Sequence, residues 1–270
     1  MKDAENGSVK KVFSADKQRY VTGVLLIVVL VLILLINSKI LIWFVLGALL
    51  LLSIKESLAL YTLETALHFY ILGALGWIGA YFTENPLYCG LIVLLLYASY
   101  IAYSKKLPLK VMLPFLYPTL PFLCIWSVYG LLDRWGLICL IAVVVCTDTG
   151  AYFGGKIFGK TPFSPTSPKK TIEGVVVGVA CGTAVGAVFY TGITHSFPLA
   201  VVVALFVALA SVFGDLFESY LKREANLKDS GTIFPGHGGV LDRLDALLFA
   251  AIAMLFILSV LPLYSETSVL

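Results

Sequence analysis

The sequence predicts an all-α integral membrane protein with about nine transmembrane helices. Of its 270 residues, 60% are hydrophobic and only 13% are charged. The mean hydropathy of +0.96 lies far outside the range of a soluble domain. The apolar residues fall into runs about as long as a bilayer is thick. The basic residues gather in alternate connections between these runs, as they do in polytopic membrane proteins.

The apolar runs define the individual helices when about twenty residues are allowed for each span. They cover roughly 20–36, 39–55, 65–82, 86–103, 108–128, 135–158, 172–192, 197–221 and 240–264. Residues 57–68, which include Glu64 and His68, also fit an amphipathic helix lying in the membrane interface, so both interpretations stay open. No small-residue cleavage site follows the first run, and we expect that helix to be retained.

The distribution of Lys and Arg predicts the orientation of the helices. Basic residues precede the first run and follow the second, fourth, sixth and eighth runs, and only Lys39 and Arg134 fall on the opposite side. A register error of one helix would destroy this alternation. The protein is therefore predicted to span the cytoplasmic (inner) membrane, with its N-terminus in the cytoplasm and its C-terminus outside.

The polar stretches divide the chain into three regions. Residues 1–19 form a basic cytoplasmic N-terminus, residues 20–134 a transmembrane scaffold half, and residues 135–270 a catalytic transmembrane half with cytoplasmic loops. A glycine recurs every fourth residue from Gly174 to Gly186. Such a stripe indicates a helix face that another helix approaches closely. The longer polar stretches all lie in the second half, which is where we expect the chemistry.

Four aspartates of this half lie in or beside apolar sequence on the predicted cytoplasmic side. Asp148 and Asp215 fall about two turns inside their helices, whereas Asp242 and Asp245 open the last helix. An ionised carboxylate at such a depth costs several kcal/mol unless it is paired or bound to a metal, which favours a functional site. The alternative is a structural ion pair with a neighbouring cation: Lys222, Arg223 or Arg243.

Helical spacing places Asp215, Glu218, Ser219 and Lys222 on one face. Oxygen ligands without nearby His or Cys suit a hard cation such as Mg²⁺. A basic cluster with the glycines of "GHGG" is typical of a phosphate-binding cradle. This combination predicts phosphoryl or nucleotidyl transfer. The basic cluster comprises Lys169, Lys170, Lys222, Arg223 and Lys228. His237 either donates to a phosphate, orients a lysine, or only caps the last helix.

The stretch "SYLKREANLKDSGTIFPGHGGVLDRLD", residues 219–245, resembles the signature of the phosphatidate cytidylyltransferase family. That signature is S-x-x-K-R-x(4)-K-D-x-G-x(3)-P-G-H-G-G-x-x-D-R-x-D, and every fixed position is filled. The segments "DTGAYFGGKIFGK" and "SPKKTIEG" are also similar to family segments. The similarity covers residues 145–250, whereas the first half matches only as a set of hydrophobic helices.

The resemblance implies that CTP and phosphatidic acid react to CDP-diacylglycerol and pyrophosphate. It implies Mg²⁺ at Asp215, Asp242 and Asp148, with a second cation, divalent or monovalent, also allowed. Membrane lipid and a second copy of the chain, in a homodimer, are the implied partners, with no nucleic acid. The implied catalytic residues are Lys222, Arg223, Lys228, Asp229, His237 and Asp245. The implied substrate-binding residues are Ser167, Lys169, Lys170, Ser219, Gly238, Gly239 and Arg243.

Two other functions are compatible with parts of the pattern. A CTP-dependent lipid-alcohol kinase would share the nucleotide-binding half but transfer the γ-phosphoryl group to a hydroxyl. A cation-coupled transporter would use the same intramembrane aspartates, although transporters tend to show an internal repeat and midplane sites, and neither is evident here. The completeness of the signature favours the cytidylyltransferase.

Overall fold

The computed structural model describes residues 21–234, 236 and 238–260, which fold mainly into helices. The helices are α1 (Val21–Ile36), α2 (Lys39–Leu60), α3 (Leu67–Tyr81), α4 (Pro86–Ser104), α5 (Leu120–Phe158), α6 (Ile172–Thr194), α7 (Phe197–Glu224) and α8 (Leu241–Val260). Short irregular helices at Leu109–Met112 and Phe115–Thr119 lead into α5, and a hairpin of β1 (Pro162–Ser164) and β2 (Ser167–Thr171) separates α5 from α6.

Six helical stretches of the described chain are long and apolar enough to cross a membrane, and α1 and α3 are shorter apolar helices. The longest stretch, Leu109–Phe158, contains two of the predicted runs. The helix is interrupted between these runs at Asp133, whose φ of 54° and ψ of −153° are not helical. The prediction of an all-α integral membrane protein is confirmed, and the count of nine spans stays a prediction.

The segment 57–68 does not form a separate interfacial helix. Helix α2 continues to Leu60, beyond the predicted end at residue 55, and residues 61–66 form a turn and an irregular link to α3. Ser57 and Leu58 are buried in the last turn of α2. The sequence from 39 to 60 contains no proline, and the charge at Glu56 is satisfied by internal donors. The helix therefore has no reason to end at Lys55.

The glycine stripe packs α6 tightly against α5, as its spacing predicted. A Cβ atom at Gly178 would lie 2.5 Å from the Thr147 carbonyl oxygen, and one at Gly174 would lie 2.7 Å from the Ala151 carbonyl oxygen. Both distances are shorter than a Cβ atom can tolerate, so the helix backbones touch here. This contact fixes the part of α5 that carries Asp148.

The β-hairpin was not expected from the sequence. Its strands pair antiparallel, with Ser164 opposite Ser167, and Glu173 Oε2 accepts hydrogen bonds from the Lys160 and Thr161 N–H groups at 3.1 and 3.2 Å. These bonds hold the base of the hairpin against the start of α6. Strand β2 carries the basic pair Lys169 and Lys170, and the hairpin therefore gives these lysines a defined position.

Candidate active site

A cavity of about 610 Å³ lies between the second part of α5, strand β2 and the middle of α7. The sequence predicted site residues from three separate stretches, and this cavity brings members of all three together. The predicted residues that line it are Asp148, Ser167, Lys169, Lys170 and Asp215. Lys156, which was not predicted as a site residue, also lines it. Two acidic and three basic side chains therefore face one space large enough for part of a nucleotide.

Asp215 is the acidic residue of α7 that faces this cavity. Lys170 Nζ forms an ion pair with Asp215 Oδ2, and both side chains are 29% exposed. Ser219, one turn later on α7, donates its hydroxyl to Asp215 Oδ1 at 3.4 Å. The Asp215 carboxylate thus has one strong protein partner and stays open to the cavity, which leaves it available to a cation or substrate.

Lys222 lies between two carboxylates and joins α7 to α8. Its Nζ donates to Glu218 Oε2 at 2.8 Å and to Asp242 Oδ1 at 2.7 Å. The side chain of Lys222 is 13% exposed, and those of Glu218 and Asp242 are 0% and 5% exposed. A role of Lys222 in binding phosphate stays a prediction, because its ammonium group is engaged within the protein here.

Asp242 has donors at both of its carboxylate oxygens. Besides Lys222 at Oδ1, the Ser230 N–H, the Ser230 hydroxyl and the Gly239 N–H each lie 2.8 Å from Oδ2. Gly238 has a φ of +82°, and a Cβ atom there would lie 2.5 Å from Asp242 Oδ2. The two glycines therefore allow the loop to close around this carboxylate, and their contact with substrate stays a prediction.

Glu218 and Asp245 form a pair of neighbouring carboxyl groups on α7 and α8. Glu218 Oε1 is buried without a hydrogen-bond donor, and the Asp245 carboxyl is close enough to Glu218 for the two charges to interact. Two such groups repel each other unless a proton or cation lies between them. Buried oxygen atoms of this kind fit a hard cation.

The carboxylates nevertheless do not form a complete metal cage. In the chain from 21 to 260, apart from Pro235 and His237, no three His, Cys, Asp or Glu side chains are grouped to hold a metal ion. A cation would therefore take one or two carboxylates and complete its coordination with water and substrate phosphate. Mg²⁺ usually binds in this way.

Arg223, Lys228, Asp229 and Arg243, also predicted as site residues, do not line the cavity. Arg223 donates to the Leu227 carbonyl oxygen at 3.5 Å. Lys228, Asp229 and Arg243 are exposed, and His237 lies outside the described residues. Their functions stay predictions.

Glu56 was not predicted as a site residue. It lies in the last part of α2, in the half expected to be scaffold, and is only 4% exposed. Its carboxylate accepts hydrogen bonds from the segment between α7 and α8 and from the first residue of α8. A carboxylate in an apolar run was the available signal, but the predicted end of the helix at residue 55 removed Glu56 from that run.

Comparison with known proteins places this chain in a family. Residues 17–261 match the model of the cytidylyltransferase family. A Helicobacter pylori protein named phosphatidate cytidylyltransferase is 43% identical over 262 residues, which cover 97% of this chain and 98% of that protein. The chain belongs to the cytidylyltransferase family. The resemblance inferred from residues 219–245 is thereby confirmed.

Other relatives match shorter parts of this cytidylyltransferase. A phosphatidate cytidylyltransferase of Mycobacterium tuberculosis is 40% identical over 128 residues, which cover 46% of this chain and 38% of that protein. A chloroplastic phosphatidate cytidylyltransferase of Arabidopsis thaliana is 46% identical over 124 residues, which cover 45% of this chain and 32% of that protein. These two matches cover less than half of the chain, whereas the Helicobacter pylori protein matches over nearly all of it.

Proposed function

We propose that this cytidylyltransferase transfers CMP from CTP to phosphatidic acid and forms CDP-diacylglycerol and pyrophosphate. The observation that carries the proposal is the cavity in which Asp148 and Asp215 face Lys169 and Lys170. The name of the Helicobacter pylori relative, which matches over almost its whole length, gives the reaction class. The match to the cytidylyltransferase family favours this reaction over transport.

The chemistry requires alignment and charge neutralisation more than a strong base. An anionic oxygen of the lipid phosphate forms a bond to the α-phosphorus of CTP, and the bond from that phosphorus to the oxygen bridging to the β-phosphorus breaks. Pyrophosphate leaves with that oxygen. Lys169 and Lys170 supply positive charge at the cavity wall, where they bind and orient phosphate groups. Ser167, beside them, offers a hydroxyl donor.

We propose that Mg²⁺ is the cofactor and that it neutralises charge on the phosphate oxygens when bound. Asp215 is the best placed ligand because it faces the cavity, with Asp148 on the same cavity and Asp245 beside Glu218. Asp242 is a weaker candidate, since the Lys222 ammonium and the N–H groups of Ser230 and Gly239 already occupy its two oxygens. A ligand role for Asp242 requires at least Lys222 to move away.

The proposed arrangement in the membrane has nine spans, a cytoplasmic N-terminus and an active site facing the cytoplasm of the inner membrane. The alternation of basic residues and the helix break at Asp133 support it. A cysteine introduced at Thr166, in the hairpin, should react with an impermeant thiol reagent only from the cytoplasmic side. A cysteine at Thr83, between α3 and α4, should react only from the outside. Reaction of both from one side contradicts the arrangement.

A homodimer is the oligomeric state that the family resemblance implies. Large apolar side chains such as Tyr152, Phe153 and Val176 are exposed on α5 and α6 in the single chain, and they require lipid or a second copy to cover them. Mass measurement of the protein in lipid nanodiscs should give two copies per particle. A single copy at all protein concentrations contradicts the proposal.

The reaction itself is tested by identifying the products. Purified protein in detergent micelles is incubated with CTP, Mg²⁺ and phosphatidic acid, with diacylglycerol as the matched acceptor that lacks the phosphate. We expect CDP-diacylglycerol and pyrophosphate from phosphatidic acid and no reaction with diacylglycerol. Lipid phosphate and CDP from diacylglycerol would instead identify a lipid-alcohol kinase.

A further inference from the structure

We infer that Glu56, from the N-terminal half, is a positioning residue of the active site. It fixes Ser230 and the segment 239–241, and through Ser230 it fixes Asp242 and Lys222. The effect on turnover rests on the proposed cytidylyltransfer, whereas the effect on the segment itself does not. The first half of the chain is then part of the catalytic apparatus and more than a scaffold.

The Glu56 carboxylate is surrounded by hydrogen-bond donors from the α7–α8 connection and the start of α8. Its Oε1 accepts the Val240 N–H at 2.9 Å, and its Oε2 accepts the Leu241 N–H at 2.8 Å. The Ser230 hydroxyl lies 3.1 Å from Oε2, and Glu56 shares its single hydrogen with Asp242 Oδ2. Leu241 is the first residue of α8, where backbone N–H groups favour an anion. These donors compensate the burial of the Glu56 charge.

Two glycines of the 219–245 signature make room for this carboxylate. A Cβ atom at Gly239 would lie 2.5 Å from Glu56 Cδ, and one at Gly231 would lie 2.8 Å from the same atom. Both distances are below those that Cβ atoms show, so any larger residue would displace Glu56 or the segment. The Glu56 carboxylate therefore explains why both positions are glycine, without any contact to substrate.

Ser230 connects Glu56 to the ion pairs of the site. Its hydroxyl lies 3.1 Å from Glu56 Oε2 and 2.8 Å from Asp242 Oδ2. Its own N–H also donates to Asp242 Oδ2 at 2.8 Å. Since Asp242 in turn accepts a hydrogen bond from Lys222 at 2.7 Å, a shift of the segment moves both charged groups. Glu56 therefore acts through other residues, without lining the cavity.

The direct test uses Glu56→Gln, with Ser53→Ala as the matched control. Gln keeps the shape but turns an NH₂ group toward Val240, Leu241 or Ser230, which are donors themselves. Ser53 lies one turn earlier on α2, is also buried, and its hydroxyl makes no hydrogen bond in the described structure. Loss of one buried hydrogen bond of this kind changes an equilibrium or rate constant by roughly 10- to 100-fold.

We expect Glu56→Gln to lower kcat by roughly 10- to 100-fold while the KM for CTP changes by less than about threefold, because Glu56 does not contact the cavity. Hydrogen exchange of the amides at Val240 and Leu241 should become at least about tenfold faster in the full-length protein. Ser53→Ala should change neither quantity. Unchanged exchange at these amides in Glu56→Gln overturns the inference, whatever reaction the wild type catalyses.

Ser230→Ala provides a second test if Glu56→Gln does not fold. It removes the hydroxyl between Glu56 and Asp242 but leaves the Val240 and Leu241 hydrogen bonds to Glu56 in place. We expect the same fall in kcat, with the melting temperature lowered by no more than the loss of one buried hydrogen bond explains. Wild-type kcat in Ser230→Ala overturns the connection to Asp242. Inactivity of the wild type toward phosphatidic acid contradicts the proposed function alone, since hydrogen exchange still tests Glu56.

Discussion

Replacing Asp215 and Asp242 with Asn should have different effects on stability, because Asp242 is buried and fully hydrogen-bonded whereas Asp215 is partly exposed. Asp242 accepts hydrogen bonds from Lys222 at 2.7 Å and from Ser230 and Gly239 at 2.8 Å, and its side chain is 5% exposed. Asn keeps one oxygen, and its NH₂ group must face either the Lys222 ammonium or the N–H groups of the loop. At least one charge-assisted hydrogen bond is therefore lost.

The size of the effect follows from burial. A hydrogen bond to a charged group is worth about 1.5–3 kcal/mol, and Lys222 keeps Glu218 as a partner, so Asp242→Asn should cost about 2–3 kcal/mol of stability. Asp215 pairs with Lys170 where both side chains are 29% exposed. Such a partly solvated pair is worth about 0–1 kcal/mol. The variants should therefore differ by about 2 kcal/mol, or roughly 4–8 °C in melting temperature.

Both variants should lose turnover by at least about 100-fold, and additional Mg²⁺ should restore little, since each removes a negative charge from the site. Melting temperatures of the purified proteins in detergent and rates of CDP-lipid formation measure the two effects side by side. Equal melting temperatures refute the structural distinction. Near-normal Mg²⁺-dependent activity in Asp215→Asn removes Asp215 from the cation site and leaves Asp148 with Asp245 as the candidates.

Three further predictions concern helix packing and nucleotide binding. Gly182→Ala should lower stability by about 1–3 kcal/mol, because the added methyl group meets the buried Thr147 on α5. Gly192→Ala on the same helix has open space and should be neutral or stabilising by about 0.5–1 kcal/mol in the same melting assay. Lys169→Ala should raise the KM for CTP several-fold, and an unchanged KM would place the triphosphate elsewhere. Arg223→Ala and Lys228→Ala should each raise the KM for CTP or lower kcat, and steady-state kinetics identical to wild type would remove them from the site.

Much of the fold could be predicted because the length of each apolar run and the positions of Lys and Arg beside it can be seen directly in the sequence. The hairpin at 162–171 could not, since "PFS" and "SPKKT" are short, rich in proline and lack alternating apolar residues. The end of α2 was placed too early at residue 55 because the charged pair Lys55 and Glu56 looked like an interfacial boundary. The structure shows that Glu56 is buried, and only tertiary contacts could reveal this.

The candidate site was predicted best where a functional group faces open space. Asp148, Asp215, Lys169 and Lys170 were expected together, and they line one cavity. The phosphate cradle expected at the glycines of "GHGG" stays a prediction; the structure shows that Gly239 donates to Asp242 and lies against Glu56. A sequence shows that a position requires glycine, and it does not show which group fills the space beside it. The partner here is more than 180 residues away in the chain.

The fate of the individual phosphates of CTP tests the central claim most directly. Wild-type protein is incubated with phosphatidic acid, Mg²⁺ and CTP carrying a radioactive label on either the α- or the γ-phosphorus. Attack of the lipid phosphate on the α-phosphorus predicts that the α-label enters the lipid fraction and that the γ-label is released as pyrophosphate. Entry of the γ-label into the lipid, with the α-label remaining in CDP, would contradict the account.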